Sequence, residues 1–243
     1  VSTNGVQEKS VLYLNMASSF SERSNPDEAL MSILGENENM SMSSLETVLK
    51  ALRVAKDNKK IEGVFIECNG TSAGTATLSE IRRALKEFKE SGKWVIAYGN
   101  SGITQGDYYV ASMADSIILN PVGSVDIHGL SSSIPFFKNL LDKVGVEMQV
   151  LRVGTFKSAV EPYVETEASE ANRTATQAYI TSLWGELTKE LSESRGMSVE
   201  RLNEMADSLM LTQPVGYLLE NKIIDGLSYR FDLIDRMKDR TGV

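Results

Sequence analysis

Residues 61–98 read IEGVFIECNGTSAGTATLSEIRRALKEFKESGKWVIAY and contain one strand–helix–strand repeat. The apolar runs 61–68 and 94–98 have the length and the β-branched and aromatic content of buried strands. Between them, a glycine-containing turn at 69–74 precedes a segment with Thr77 and Glu80 at the spacing of a helix capping box. Strands that alternate with helices in this way predict an α/β fold with a parallel sheet.

The same alternation continues on both sides of this repeat. The pattern predicts strands at 11–14, 116–119 and 146–153. It also predicts three helices, of which one begins near residue 43, one covers 107–113 and one covers 136–144. From residue 169 onward the pattern is almost wholly helical. No linker-like composition divides the chain, so we predict a single domain over 1–243, with 1–10 disordered and 17–42 forming a long loop.

The composition excludes several classes of protein. The 243 residues are 42% apolar and 24% charged, which is an ordinary balance for a globular domain. With 33 acidic against 25 basic residues, the net charge of −8 argues against nucleic acid as a partner. A single cysteine, Cys68, and a single histidine, His128, exclude a disulfide framework and a multi-histidine metal site. No run approaches the roughly 18 apolar residues of a membrane-spanning helix. The chain is therefore predicted to be soluble, and its start without methionine is compatible with a longer, membrane-anchored parent.

Lys157 is the most suggestive candidate for catalysis. It lies in LRVGTFKSAVEPY, residues 151–163, with Phe156, Ala159 and Val160 as neighbours. A lysine held against apolar neighbours is costly to keep charged, so its neutral amine can serve as a general base. The alternative is an ordinary lysine in solvent, where most lysines lie.

The sequence also contains other candidate catalytic groups. The loop 99–109 follows a strand and leads into a helix, and Ser101 is its one serine. A Ser–His–Asp triad would need Ser101 or Ser112 with His128 and one of many aspartates, an arrangement that the sequence does not single out. The turn 69–74 could offer backbone N–H groups to an oxyanion.

The string VGTFKSAVEPY, residues 153–163, resembles the catalytic-lysine segment of the signal peptide peptidase A (SppA) family of bacterial serine–lysine proteases. GDYYVASMAD, residues 106–115, is similar to the helix after that family's nucleophile loop. LLENKIIDGL, residues 218–227, resembles the closing segment of the wider Clp protease/crotonase superfamily. The resemblance implies a crotonase-like ββα spiral with a helical C-terminal third, no metal or organic cofactor, and assembly into a homo-oligomer, a tetramer in the long form.

Two departures from the family pattern indicate which part of the family the chain resembles. Gln105 stands where short-form members have the nucleophilic serine, and Asn69 and Gly70 replace an SPGG-type oxyanion loop. Both features are typical of the N-terminal repeat of the long, tandem-repeat form. In that form the N-terminal repeat supplies the lysine and the C-terminal repeat supplies the serine.

The resemblance implies roles for the residues around Lys157. Lys157 itself would be the general base, Ser158 would position its amine by a hydrogen bond, and Glu161 would be a supporting partner or a simple surface charge. The implied activity is that of a serine endopeptidase that degrades cleaved signal peptides on the periplasmic side of the bacterial inner membrane. A missing N-terminal anchor would tether the full-length protein there, and the isolated chain would be inactive.

Three alternatives remain open from the sequence. The repeat could be a non-catalytic assembly module, in which Lys157 is dispensable. It could be a self-contained hydrolase that uses Ser101 with Lys157 or His128. It could also be a crotonase that acts on acyl-CoA, because the spiral fold alone does not separate these activities.

Overall fold

The computed structural model describes residues 6–16, 20–23, 44–150 and 157–242. The chain divides into two compact units. The first unit comprises residues 1–128 together with 191–243, and the second comprises residues 129–190. This division is finer than the single domain predicted from the sequence. Each unit is described by itself.

The first unit is built on a parallel sheet of five strands in the order β1-β2-β3-β5-β7. A separate parallel pair joins β4 to β6. The strands are β1 (Ser10–Asn15), β2 (Ile61–Cys68), β3 (Trp94–Gly99), β4 (Gly102–Ile103), β5 (Ser116–Leu119), β6 (Ser124–Val125) and β7 (Gly226–Leu227). Because the five strands are parallel, their carboxyl ends share one edge, and the loops after β2 and β3 both leave the sheet there.

Helices connect the strands and fill the C-terminal third. In the first unit they are α1 (Leu45–Asp57), α2 (Thr75–Lys89), α3 (Gln105–Ala111), α7 (Val199–Asp207), α8 (Val215–Glu220) and α9 (Arg230–Thr241). The second unit contains α4 (Lys138–Lys143) and α5 (Glu161–Val164), and α6 (Glu170–Arg195) begins there and ends in the first unit. The α/β class and the helical C-terminal third are as predicted.

The core of the first unit lies on both faces of the central strands. Seven of the eight residues of β2 are buried, and all six residues of β3 are buried. On one face, α9 packs against the sheet through a cluster of Leu233 and Met237 with Phe65, Trp94, Ile96 and Tyr98. Burial of each such large apolar side chain stabilises the fold by about 1.5–3 kcal/mol.

Several predicted segments differ from the structure. Ser10 already belongs to β1 and donates its N–H to the Lys60 carbonyl oxygen at 2.8 Å, so the predicted disorder of 1–10 is wrong at that residue. Residues 146–150 form no strand, because no described segment pairs with them. Residues 151–153 of that predicted strand lie outside the described residues. The predicted loop 17–42 also lies outside them, apart from residues 20–23.

A polar network joins β1, β2 and α9 beside the core. Glu67 is buried and its carboxylate accepts hydrogen bonds from Tyr13 Oη at 2.6 Å and from Arg230 Nε at 2.6 Å and Nη2 at 3.1 Å. Burial alone would raise the pKa of Glu67, but the hydrogen bonds from Arg230 and Tyr13 outweigh it and hold that pKa below its usual value. Burial and the bond to Glu67 raise the pKa of Tyr13 to about 12.

Replacement of Arg230 by alanine is expected to lower the free energy of unfolding at pH 7 by about 2 kcal/mol, because it leaves the buried Glu67 carboxylate without its cation. Since the folded-state pKa of Glu67 is depressed, the pair stabilises the fold above the usual carboxyl pKa. That contribution disappears as the pH falls through the folded-state value. Urea unfolding at neutral and acidic pH should show the variant and the wild type converging at low pH. Arg236→Ala, an exposed change on the same helix, is the control, and an equal loss at both pH values would contradict the prediction.

Candidate active site

Lys157 lies in the second unit, immediately before the turn that leads into α5. Its side chain is exposed, and its amine has no hydrogen bond or ion pair with any described residue. Phe156 lies outside the described residues, while Ala159 is exposed and Val160 is half-buried. Among the described residues, no apolar side chain next to Lys157 in sequence is buried, and the apolar environment of the amine stays a prediction.

The two residues predicted to support Lys157 differ in their surroundings. Ser158 is half-buried, and no hydrogen bond between its hydroxyl and the Lys157 amine is present in the described structure. Its supporting role stays a prediction. Glu161 is 1% exposed and accepts hydrogen bonds from Ser169 and Asn172, so it is not a simple surface charge.

Gln105 is the first residue of α3, in the first unit. Its Oε1 atom accepts the backbone N–H of His128 at 3.0 Å. A carboxamide has no proton that a lysine could remove to make a nucleophile. The residue at the predicted nucleophile position thus has a structural contact that holds the backbone of His128 near the start of α3.

Asp107 is the residue that sequence reasoning missed. It is fully buried, and its carboxylate accepts the N–H groups of Gly70 at 2.8 Å and Thr71 at 3.1 Å. It also accepts the N–H of Thr104 at 3.4 Å and its Oγ1 hydroxyl at 2.9 Å, which completes a capping box on α3. The Thr104–Asp107 spacing was the sequence signal for this cap.

The loop after β2 is held against α3 by these contacts. Gly70 has φ +86°, a left-handed conformation that glycine adopts without strain. A Cβ atom at Gly106 would lie 3.1 Å from Thr71 Cγ2, so the missing side chain lets α3 approach the loop. Asn69 donates from Nδ2 to Asn15 Oδ1 at 3.0 Å. The Gly70 amide is therefore committed to Asp107, and the prediction that it offers its N–H to a substrate oxyanion does not fit this geometry.

The alternative nucleophiles do not come together with a base. Ser101 is exposed, and no hydrogen bond joins it to His128 within the described ranges. The His128 ring instead pairs with Asp126, with 3.1 Å between Nδ1 and Oδ2. Ser112 is buried and accepts a hydrogen bond from Arg82. Burial raises the pKa of the Cys68 thiol well above its usual value, which keeps it protonated and unreactive.

Two general properties of the described residues bear on cofactors and membranes. In that part of the chain, no three histidine, cysteine or acidic side chains are grouped so that they could hold a metal ion. Across the same residues, no helix is both long enough and apolar enough to cross a membrane.

Comparison with known proteins places these features in a family. The sequence model of Peptidase family S49 matches residues 87–243. The chain is 38% identical over 198 residues to Protease 4 of Salmonella typhi, across 79% of this chain and 32% of that protein. It is 37% identical over 202 residues to Protease 4 of Haemophilus influenzae, across 83% and 31%. It is 26% identical over 185 residues to the chloroplastic serine protease SPPA of Arabidopsis thaliana, across 76% and 27%.

The chain spans about one third of the length of the two Protease 4 relatives. The matched family segment contains Gln105, Lys157 and Glu161, and it also covers α3 and the helical C-terminal third. The parallel α/β sheet with its crossover helices agrees with the fold that this family implies. On this evidence the chain belongs to peptidase family S49.

Proposed function

We propose that this chain is the base-supplying repeat of a serine–lysine endopeptidase that degrades cleaved signal peptides. The observation that carries the proposal is the contrast between two positions. Lys157, in the motif that resembles the SppA catalytic-lysine segment, is exposed, and its amine makes no hydrogen bond or ion pair with a described residue. Gln105, at the nucleophile position, has a carboxamide that already bonds to the His128 backbone.

The proposed reaction uses Lys157 twice in each half of the cycle. Its neutral amine removes the proton from a serine hydroxyl, and the serine oxygen attacks the peptide carbonyl carbon. The protonated amine then gives that proton to the leaving amine as the peptide bond breaks. In the second half, the same amine removes a proton from water, and the water oxygen attacks the acyl carbon. The protonated amine then returns that proton to the serine oxygen as the acyl–serine bond breaks, which restores both the serine and the neutral lysine.

The serine and most of the oxyanion donors would come from a C-terminal repeat of the same protein. Two features of this chain support the division. The nucleophile position holds Gln105, and the Gly70 amide is engaged by Asp107. The exposure of Lys157 also fits a residue that a neighbouring repeat covers, since the amine must lose water before it can stay neutral. The relatives named Protease 4 are about three times as long as the segment matched here, which leaves room for such a repeat.

The proposal extends to the setting of the full-length enzyme. An apolar groove over Lys157 would both dehydrate the amine and receive the apolar core of a signal peptide. We place the full-length protein at the periplasmic side of the bacterial inner membrane, held by an N-terminal anchor, as a homo-oligomer that is tetrameric in the long form. No nucleic acid takes part in this activity.

The test compares this chain alone, the full-length enzyme, and this chain mixed with the C-terminal repeat. The substrate is a fluorogenic peptide with an apolar, signal-peptide-like core. The full-length enzyme and the mixture are expected to hydrolyse it, and this chain alone is expected to stay at the uncatalysed rate, because it lacks the serine. Hydrolysis by this chain alone that Ser101→Ala abolishes would contradict the proposal and support a self-contained hydrolase.

A further inference from the structure

Helix α5 begins four residues after Lys157 and is only four residues long. A helix of this length is unstable by itself, because its few hydrogen bonds do not repay the entropy lost in forming the first turn. Its position must therefore come from contacts with neighbouring elements. Those contacts also determine where the chain at Lys157 lies.

On one side, α5 is anchored by a buried carboxylate. Glu161 is 1% exposed, and its Oε1 atom accepts the hydroxyl of Ser169 at 2.7 Å. Its Oε2 atom accepts the Ser169 N–H at 3.1 Å and Asn172 Nδ2 at 2.9 Å. We call these three residues the Glu161 tether.

The tether joins α5 to the start of the long helix α6. The hydroxyl oxygen of Ser169 accepts the Asn172 N–H at 3.2 Å, and the Ser169 carbonyl oxygen accepts the Arg173 N–H at 2.9 Å. Ser169 is therefore the N-cap of α6, a helix of 26 residues. A carboxylate at this end of a helix is stabilised by the helix dipole as well as by its hydrogen bonds. The tether thus fixes α5 to the N-terminal end of a long helix.

On another side, α5 contacts residue Phe137. The Phe137 N–H donates to the Pro162 carbonyl oxygen at 2.6 Å. The rings of Phe137 and Tyr163 stack with their centroids 6.0 Å apart and an angle of 23° between the planes. All of these residues belong to the second unit. The short helix is consequently held by a neighbouring aromatic residue in addition to the N-terminus of α6.

The position of α5 is transmitted to Lys157 through a single turn of backbone. The Glu161 N–H donates to the Ser158 carbonyl oxygen at 3.0 Å, which closes that turn. Lys157 immediately precedes it, and its amine makes no hydrogen bond within the described part of the chain. The described contacts thus fix the backbone from which the lysine side chain extends, and none of them is made by the amine.

We propose that Glu161 is a positioning residue, which aims Lys157 at the serine by fixing α5 to Ser169 and Asn172 at the start of α6. The inference rests on the proposed role of Lys157 as the general base. It assigns Glu161 a geometric role in which the hydrogen bonds matter and the negative charge does not.

The experiment measures hydrolysis of the fluorogenic peptide by the full-length enzyme and its variants. Glu161→Ala removes the three side-chain bonds described above and is expected to lower kcat by at least about tenfold with little change in KM, since small displacements of a reacting group cost large factors in rate. Glu161→Gln preserves the bonds, because its oxygen can accept from the Ser169 N–H and Asn172 while its NH2 donates to the Ser169 hydroxyl. It is expected to keep kcat within about twofold of wild type. Glu165→Ala, an exposed change on the same segment, is the matched control and is expected to leave kcat unchanged.

All rates are expressed per active site, counted by titration with a serine-directed covalent probe. A role in stability alone would lower the number of active sites and leave kcat per site unchanged. Wild-type kcat per site in Glu161→Ala would therefore overturn the inference, as would a Glu161→Gln variant that is as slow as Glu161→Ala. If Glu161→Ala does not fold, Asn172→Ala removes one tether bond and is expected to lower kcat about threefold. Wild-type kcat in folded Asn172→Ala would then overturn the inference.

Lys157→Ala, measured beside these variants, separates this inference from the proposed function. An active Lys157→Ala enzyme would refute the role of the lysine and, with it, the tether. An inactive Lys157→Ala enzyme with a fully active Glu161→Ala enzyme would refute only the positioning role.

Discussion

Replacement of Lys157 by alanine in the full-length enzyme is expected to lower kcat/KM for the peptide substrate by about a thousandfold, while leaving assembly unchanged. A general base contributes about 10²–10⁴-fold to a reaction of this kind. The motif at 153–163 contains no second basic residue that could replace Lys157. Lys157 is exposed and its amine makes no hydrogen bond or ion pair with a described residue, so its removal should not disturb this repeat. Peptide hydrolysis and light scattering after size-exclusion chromatography check the two halves of the prediction.

The Lys157→Arg variant tests whether the side chain at this position must take up a proton. Arginine keeps the positive charge and a long side chain, but its guanidinium stays protonated at any accessible pH and takes up no proton from serine. The arginine variant should therefore be as inactive as the alanine variant. Lys143→Ala, an exposed lysine at the end of α4, is the matched control. Full activity of Lys157→Ala would leave this chain with a role in assembly alone.

Replacement of Asp107 by alanine is expected to lower the free energy of unfolding by about 3 kcal/mol. The change removes a fully buried carboxylate and leaves the N–H groups of Gly70 and Thr71 without their acceptor. A hydrogen bond to a charged group contributes about 1.5–3 kcal/mol, and each buried donor left unpaired adds a further penalty. Urea unfolding followed by circular dichroism measures the loss.

Asp107→Asn and Asp239→Ala serve as the comparison variants. An asparagine oxygen at the Oδ2 position can still accept from Gly70 and Thr104, but its NH2 group then faces the N–H of Thr71. We expect an intermediate loss of about 1–2 kcal/mol for this variant. Asp239→Ala, an exposed change on α9, should alter stability by less than about 0.5 kcal/mol. A wild-type unfolding curve for Asp107→Ala would show that water replaces the carboxylate without cost.

The order of strands and helices could be predicted because each depends on residues close together in the chain. The strand β2 occupies 61–68 and β5 occupies 116–119, as the apolar runs predict. Helix α8 occupies 215–220, within the segment from residue 169 onward that the pattern predicts to be almost wholly helical. Local pattern does not distinguish between two adjacent residues that are both suited to cap a helix. The helix predicted to begin near Ser43 has Ser44 as its N-cap, with the Ser44 hydroxyl accepting the Thr47 N–H at 3.1 Å.

Local pattern was insufficient where a structure needs a distant partner. The alternation of residues 146–150 predicts a strand, but a strand is stable only when another strand accepts and donates its hydrogen bonds. Helix α2 begins at Thr75 after Gly74, although Thr77 and Glu80 have capping-box spacing. The spacing of two side chains alone does not identify the first residue of a helix.

The sequence by itself determined the α/β class, the helical C-terminal third, the S49 family and the absence of a serine at position 105, because these depend on residue identity and local order. Only the tertiary structure decided which charged groups are buried. It places Glu161 beside Ser169 and Asn172, and it exposes Lys157. It also commits the Gly70 amide to Asp107, 37 residues further along the chain. Burial and hydrogen bonding depend on which distant segments meet in space, and no local pattern of residues contains that information.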